Sequence, residues 1–337
     1  MAVTIEDIKK LRTMTGAGMK DCKKALNEAD GDIKKAVELV RERGLAIAAK
    51  RSDRATSNGC VLAKYENGFA AMIALKCETD FVANGADYIK LTQDILDAAV
   101  AAKAQTLEEV NELTVNYDGE DVKVADAVTR RSGVVGEKME LDGYNVLEGD
   151  NIYTYDHMGR HMLCTLVQLS DANEDAGHKV AMQVAAMKPV ALDEASVPES
   201  VKEEELKVAI MKTREEQIQR QVNVALKKAG VNANLVDSED HIESNVAKGW
   251  LSQEDADKAR EIISTVSVEA AGKLNENMIQ NIAKGRMNKF YKENCLVDQE
   301  FQFADEADGK ISVQDWLKKQ DKDLKVVDYK RFSLAAD

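Results

Sequence analysis

The sequence predicts an α+β protein with an N-terminal three-helix bundle, two α+β core subdomains and an inserted antiparallel helical coiled-coil arm. Three observations carry this. Residues 4–44 repeat apolar side chains at helical spacing between glycine turns. Around residues 60–77 the pattern changes to short apolar runs flanking an Asn-Gly turn. Over 199–287 the apolar residues return at three- and four-residue steps, as a coiled-coil seam requires.

In chain order, Thr4 caps a first helix with Asp7 three residues on, and Ile5, Ile8 and Leu11 share one face. The turn Thr15-Gly16-Ala17-Gly18 ends it, and Met19, Cys22, Leu26 and Ala29 form a second apolar stripe. Asp30-Gly31-Asp32 supplies a turn and a cap for a third helix, which carries Ile33, Ala36, Val37 and Val40 and closes at Gly44. Three helices in so short a span form a bundle of the ubiquitin-associated type, a module that serves as a docking surface. Residues 46–56, rich in Ala, Lys and Arg, read as a helical linker.

Residues 60–65 and 69–77 form a hairpin around Glu66-Asn67-Gly68, since Asn-Gly adopts the positive φ angles that a two-residue turn needs. A helix follows over 88–104, then strands at 134–141 and 144–147. A second hairpin joins 152–155 to 162–169 through His157-Met158-Gly159, and a helix over 177–187 stops before Pro189. In the arm, Val208, Met211, Ile218, Val222 and Ala225 make the outgoing seam, which Glu215 interrupts. Ile263, Val266, Ala270, Leu274, Met278 and Ile282 make the return. Breaks at 230–235 and 249–252 enclose one or more extra helices. Strand-like segments at 296–303 and 326–334 flank a short helix at 313–319. The resulting division is 1–52, 53–143, 144–198 with 288–337, and 199–287.

Composition narrows the function. The 337 residues are 44% hydrophobic and 31% charged, enough to bury a core, and only Pro189 and Pro198 interrupt helices. A net charge of −14 argues against binding nucleic acid through its phosphates, so the partner is a protein or a small molecule. Cys22, Cys60, Cys77, Cys164 and Cys295 are scattered and odd in number, which points to reduced, buried thiols. The N-terminus lacks the basic-then-apolar order of a signal peptide, and no run is long enough to span a membrane; the expected location is cytoplasmic.

Enzyme chemistry is not visible. There is no Gly-x-x-x-x-Gly-Lys-Ser/Thr phosphate loop, and Gly16-Ala17-Gly18 follows a helix rather than a strand. His157 and His161 fall on a turn, not on one helix face, so they make a poor metal pair. A calcium loop over 305–315 would place Ala304 at its first ligand position. Neither a nucleophile–base pair nor a cofactor or metal is expected.

The specific signal lies in short motifs. Leu11-Arg12 with Thr15-Gly16-Ala17-Gly18-Met19-Lys20-Asp21-Cys22-Lys23-Lys24-Ala25-Leu26, then Asp30-Gly31-Asp32 and Arg43-Gly44-Leu45, resembles the N-terminal signature of the elongation factor Ts family. Cys77-Glu78-Thr79-Asp80-Phe81-Val82-Ala83 resembles its core motif. Val135-Gly136-Glu137, Met182-Gln183-Val184-Ala185-Ala186-Met187-Lys188-Pro189, and Lys284-Gly285-Arg286-Met287-Asn288-Lys289-Phe290 before Leu296-Val297-Asp298-Gln299 follow in the same order. These collinear matches cover nearly the whole chain.

The resemblance implies a non-catalytic guanine-nucleotide exchange factor that binds elongation factor Tu, GDP-bound and nucleotide-free, and promotes GDP release during translation elongation. It implies contacts from Thr79, Asp80, Phe81 and Val82, with Met19, Lys23, Val135, Gly136 and His157 sharing the surface. Without the resemblance, Thr79 or Asp80 reads as a helix cap beside a packed Phe81, and Met19 and Lys23 as core filler and solvated charge. Two features depart from the family pattern: the arm carries extra sequence between Gly230 and Leu274, and the sequence stops at Asp337 after its last strand, where some members bear a further helix. A homodimer or a 2:2 complex with the partner stays open.

Overall fold

The computed structural model describes residues 3–15, 17–49, 51 and 53–335. Its contacts divide the chain into two units, Met1–Leu192 with Glu300–Asp337, and Asp193–Gln299.

The first unit begins with α1 (Ile5–Thr15), α2 (Met19–Glu28) and α3 (Ile33–Ala49). Thr4 and Asp7 cap α1 reciprocally: Asp7 Oδ2 accepts from Thr4 N at 3.0 Å and Thr4 Oγ1 accepts from Asp7 N at 3.1 Å. Leu11, Cys22, Ala25, Leu26 and Ala36 fill the bundle core, whereas Met19 faces outward, away from the apolar stripe expected for it. Helix α3 does not close at Gly44 but continues to Ala49. Gly44 is a contact residue, not a stop. A Cβ built on Gly133 would lie 2.2 Å from Gly44 Cα, so two bare backbones cross here.

The core is organised around β1 (Asn58–Glu66) and β2 (Phe69–Cys77), joined at Asn67 and Gly68 with φ of 51° and 76°. Helices α4 (Asp80–Ala83), α5 (Ala86–Ala102) and α6 (Leu107–Glu112) follow. Then come the small hairpin β3 (Thr114–Tyr117) and β4 (Glu120–Lys123), α7 (Val124–Val135) and β5 (Met139–Glu148). Strand β2 pairs antiparallel with β1 on one side and β5 on the other. The strands expected at 134–141 and 144–147 are therefore corrected: residues 134 and 135 end α7, and one strand runs from Met139 to Glu148. Gly136, at φ 77°, caps the helix in the left-handed conformation and separates the two elements.

A second sheet, in the order β6 (Ile152–Asp156), β7 (Leu163–Leu169), β8 (Val326–Ser333), is backed by α8 (Glu174–Met187). Here the expected hairpin, helix and last strand appear. Residues 296–303 do not form a strand; Glu300 bridges Ser312 singly. Phe301 instead stacks on Trp316 of α13 (Val313–Gln320), with ring centroids 4.4 Å apart. The apolar content there serves loop packing.

The second unit contains α9 (Glu199–Lys228), α10 (Glu239–Ala247), α11 (Gln253–Gly272) and α12 (Glu276–Asn294). Its outgoing stripe is Ala209, Thr213, Val222 and Leu226, with Ile218 half-buried; Met211 points to solvent. Thr213, not Glu215, takes a place in the seam, and its buried hydroxyl donates to Ala209 O at 2.6 Å, so the side chain carries no unpaired donor. The return leg is two helices. Asn275 Oδ1 accepts from Met278 N at 3.1 Å and starts α12 afresh. The new phase buries Ile279, Ala283 and Met287 in place of Met278 and Ile282. Around α10, Val231, Val236, Ile242 and Leu251 close a small core against Val222 and Leu226.

All five cysteines are buried and free. No helix among the described residues is long and apolar enough to cross a membrane.

The glycine crossing gives the first prediction. Gly133→Ala should destabilise the protein by about 1–3 kcal/mol by forcing α3 off α7, and should speed proteolytic release of the bundle. Gly285→Ala is the control, because a Cβ there meets open space in the middle of α12. Thermal melts of both variants check this; equal behaviour would refute the close-packing argument.

Candidate functional site

At the end of β2 the chain makes a sharp turn into the four-residue helix α4. Thr79 caps it in the extended conformation, its Oγ1 accepting from Val82 N at 3.4 Å. Ala83 is buried and Val82 packs against the core. Because α4 points these two inward, the residue between Asp80 and Val82 must face out. Phe81 is 88% exposed. Asp80 is also exposed, and its main-chain O accepts from Asn84 N and Nδ2 at 3.0 and 2.8 Å.

Phe81 gains little from folding because its ring stays in water, whereas the turn that carries it is held by hydrogen bonds from both sides. Glu78 Oε1 accepts from Lys138 N at 2.7 Å, while its carboxylate also takes Arg51 at 3.1 Å and Arg54 at 2.9 Å. Glu137 reaches back the other way, accepting from Thr79 N at 3.0 Å and from Thr79 Oγ1 at 2.7 Å. Asn58 Nδ2 donates to Glu78 O at 2.9 Å and Cys77 Sγ to Thr79 O at 3.2 Å. The Lys138 N–H, reinforced by Arg54 and Arg51, holds the Glu78 carboxyl down to about 2.

The structure brings most of the expected residues to one end of the core. Val135 and Gly136 end α7 directly before Glu137, the residue that clasps Thr79. The β6–β7 turn is tied to β1, where Val61 N donates to His161 O at 2.7 Å. Val61 lies roughly 10 Å along β1 from Asn58, which holds Glu78. His157 is exposed on that turn, its Nδ1 3.2 Å from Tyr155 OH, and the Tyr155 ring stands edge-on to both His157 and His178. Asp156 fixes the turn by accepting from His161 N at 3.0 Å. Met19 and Lys23 lie one turn apart on the outer face of α2 in the bundle, joined to the Phe81 turn by none of the described hydrogen bonds or ion pairs.

Sequence reasoning selected none of Glu137, Arg51, Arg54 or Met158. Met158 is 68% exposed and is held at φ 59°. The signal for Glu137 was its place in the Val135-Gly136-Glu137 match; for Met158 it was an apolar residue at a turn position. Among the described residues no group of three or more His, Cys, Asp or Glu is arranged to hold a metal. The arrangement can present a hydrophobic anchor.

Comparison with known proteins agrees with the motifs. A family profile described as elongation factor TS matches residues 78–230 and 208–336. The chain is 59% identical over 338 residues to elongation factor Ts of Bacteroides fragilis, covering 100% of each chain. Against elongation factor Ts of Phocaeicola vulgatus identity is 58% over 337 residues, again 100% of each. The protein of the same name from Porphyromonas gingivalis is 39% identical over 338 residues, with 100% of both covered.

The clamp on Glu78 should be visible in acid. Its carboxyl is lowered from 4.5 to about 2, so its contribution to stability is complete above pH 4.5 and is lost as pH falls toward 2. The stability difference between the natural protein and Glu78→Gln should accordingly be constant above that window and shrink through it. Denaturant titrations at a series of pH values measure this, and a difference that persists at the acid end would contradict the assignment.

Proposed function

The chain belongs to the elongation factor Ts family, and on that premise we propose that it is a guanine-nucleotide exchange factor, which binds elongation factor Tu with GDP or without nucleotide and promotes GDP release during translation elongation. The observation that carries this reading is Phe81, an exposed aromatic on a turn whose polar groups are satisfied from both sides. Rigid aromatic anchors that enter a partner's pocket dominate interface energies, since no ordering cost is left at binding.

Exchange needs no catalytic group in this chain. A protein that binds the nucleotide-free partner more tightly than the GDP-bound one must weaken GDP by the same factor. A ten-thousandfold weakening requires about 5.5 kcal/mol of differential binding. Burying one phenylalanine yields roughly 1.5–3 kcal/mol, so Phe81 supplies a part and the rest falls to its neighbours. Thr79, Asp80, Val82, Val135, Gly136 and His157 extend the anchor's surroundings, and Met19 and Lys23 give the bundle its own contact. The reading places the protein in the cytoplasm.

Adding the protein to elongation factor Tu loaded with labelled GDP should speed release. Phe81→Ala should lower that stimulation roughly tenfold to a hundredfold. Its melting curve should stay close to that of the natural protein, because the removed ring is in water. Stopped-flow release assays measure the effect; no stimulation by the natural protein would end the proposal.

A further inference from the structure

Residues 78–79 and 137–138 exchange hydrogen bonds in both directions. The Glu78 carboxylate takes the Lys138 N–H, and the Glu137 carboxylate takes both the N–H and the hydroxyl of Thr79. Each acid thus satisfies the backbone beside the other, and the two segments come from distant parts of the chain, the end of β2 and the end of α7. The second carboxylate occupies the cap residue of α4 itself. Thr79 N and Oγ1 donate to Glu137 while Oγ1 accepts from Val82 N, so one hydroxyl ties Glu137 to the helix that carries Phe81. Charged acceptors make such bonds short and strong. Ser132 Oγ in turn donates to Glu137 O, and the left-handed Gly136 aims the residue at Thr79.

We propose that Glu137, with Glu78 as its counterpart, is a positioning residue for the anchor. The crossed carboxylates fix α4 relative to α7, so that Phe81 is presented in one orientation before any partner arrives. Arg51 and Arg54, just beyond α3, extend the clamp to the segment that follows the bundle. This inference rests on the exchange reading for its functional part but not for its structural part. Glu137 supplies no contact of its own in this scheme. Its loss leaves the anchor present but mobile, and the ordering cost then falls on the step within the complex that seats the anchor and displaces GDP.

The experiment has two arms. In the free protein, amide hydrogen exchange over residues 79–85 should accelerate in Glu137→Ala, while the bundle and the second unit keep their protection. Thr79→Ser, which retains both donors, should keep the hydrogen-exchange protection of the natural protein in the free state. Unchanged protection in Glu137→Ala would overturn the clamp whether or not elongation factor Tu responds. In the GDP-release assay, Glu137→Ala should lower the maximal stimulated rate about tenfold to a hundredfold. The double variant with Phe81→Ala should be no slower than Phe81→Ala alone, because the two changes remove one event. Additive losses, or a loss confined to the half-saturating concentration, would show an independent contact and overturn the positioning role. A natural protein that fails to stimulate release would reject the exchange reading, and the hydrogen-exchange arm would still decide the clamp.

Discussion

The first unit depends on a strand buried on both faces. In β2, Phe69, Ala71, Ile73, Leu75 and Cys77 point into the core shared with α5, while Ala70, Met72 and Ala74 point into the core shared with the second sheet. A strand with water on neither side has no use for alternation, which is why Phe69 to Leu75 reads as a continuous apolar run, ended by the half-buried Lys76. Its partners on both edges are antiparallel, so its backbone groups are satisfied within the sheet. The anchor turn leaves directly from its last residue. The most exposed aromatic side chain of the unit is therefore carried by its most buried strand, and movement at Phe81 has nowhere to dissipate.

How far the sequence revealed this fold depended on whether a signal was local. The Asn67-Gly68 hairpin, the Thr4–Asp7 cap and the helix before Pro189 rest on chemistry within a few residues, and they are where the pattern puts them. The elements that were misread depend on distant partners. Gly44 looks like a terminator until Gly133, from another helix, is found against it. Val134 and Val135 carry strand-like side chains but finish a helix that the unremarked stretch before them begins. The coiled-coil return is the exception: it reads as one stripe, and a local cap at Asn275 resets its phase.

The candidate site was legible in a different way. Position 81 is ambiguous from local pattern alone, since a phenylalanine after a threonine cap usually packs inward. The resemblance pointed the other way, and its 88% exposure removes the inward alternative. The groups that hold the turn were legible only as motif members: Glu78 and Glu137 stand in two separate matches, and nothing in the sequence says that they meet. Their meaning exists only once the ends of β2 and α7 lie side by side. Charge pattern reports composition along the chain, whereas a crossed pair of carboxylates is a property of topology.

The five cysteines have a consequence of another kind. Burial pushes the Cys60 thiol up to about 12 and Cys295 to about 11, and raises Cys22, Cys77 and Cys164 as well. They are also spread across the architecture: Cys22 in the bundle, Cys60 and Cys77 in the core against α5, Cys164 in the core against the second sheet, and Cys295 in the second unit. A thiol reagent can therefore reach each one only when its own module opens. The chain carries a distributed set of internal clocks, one or two per packed region, that would time the separate opening of its parts without any foreign label being introduced.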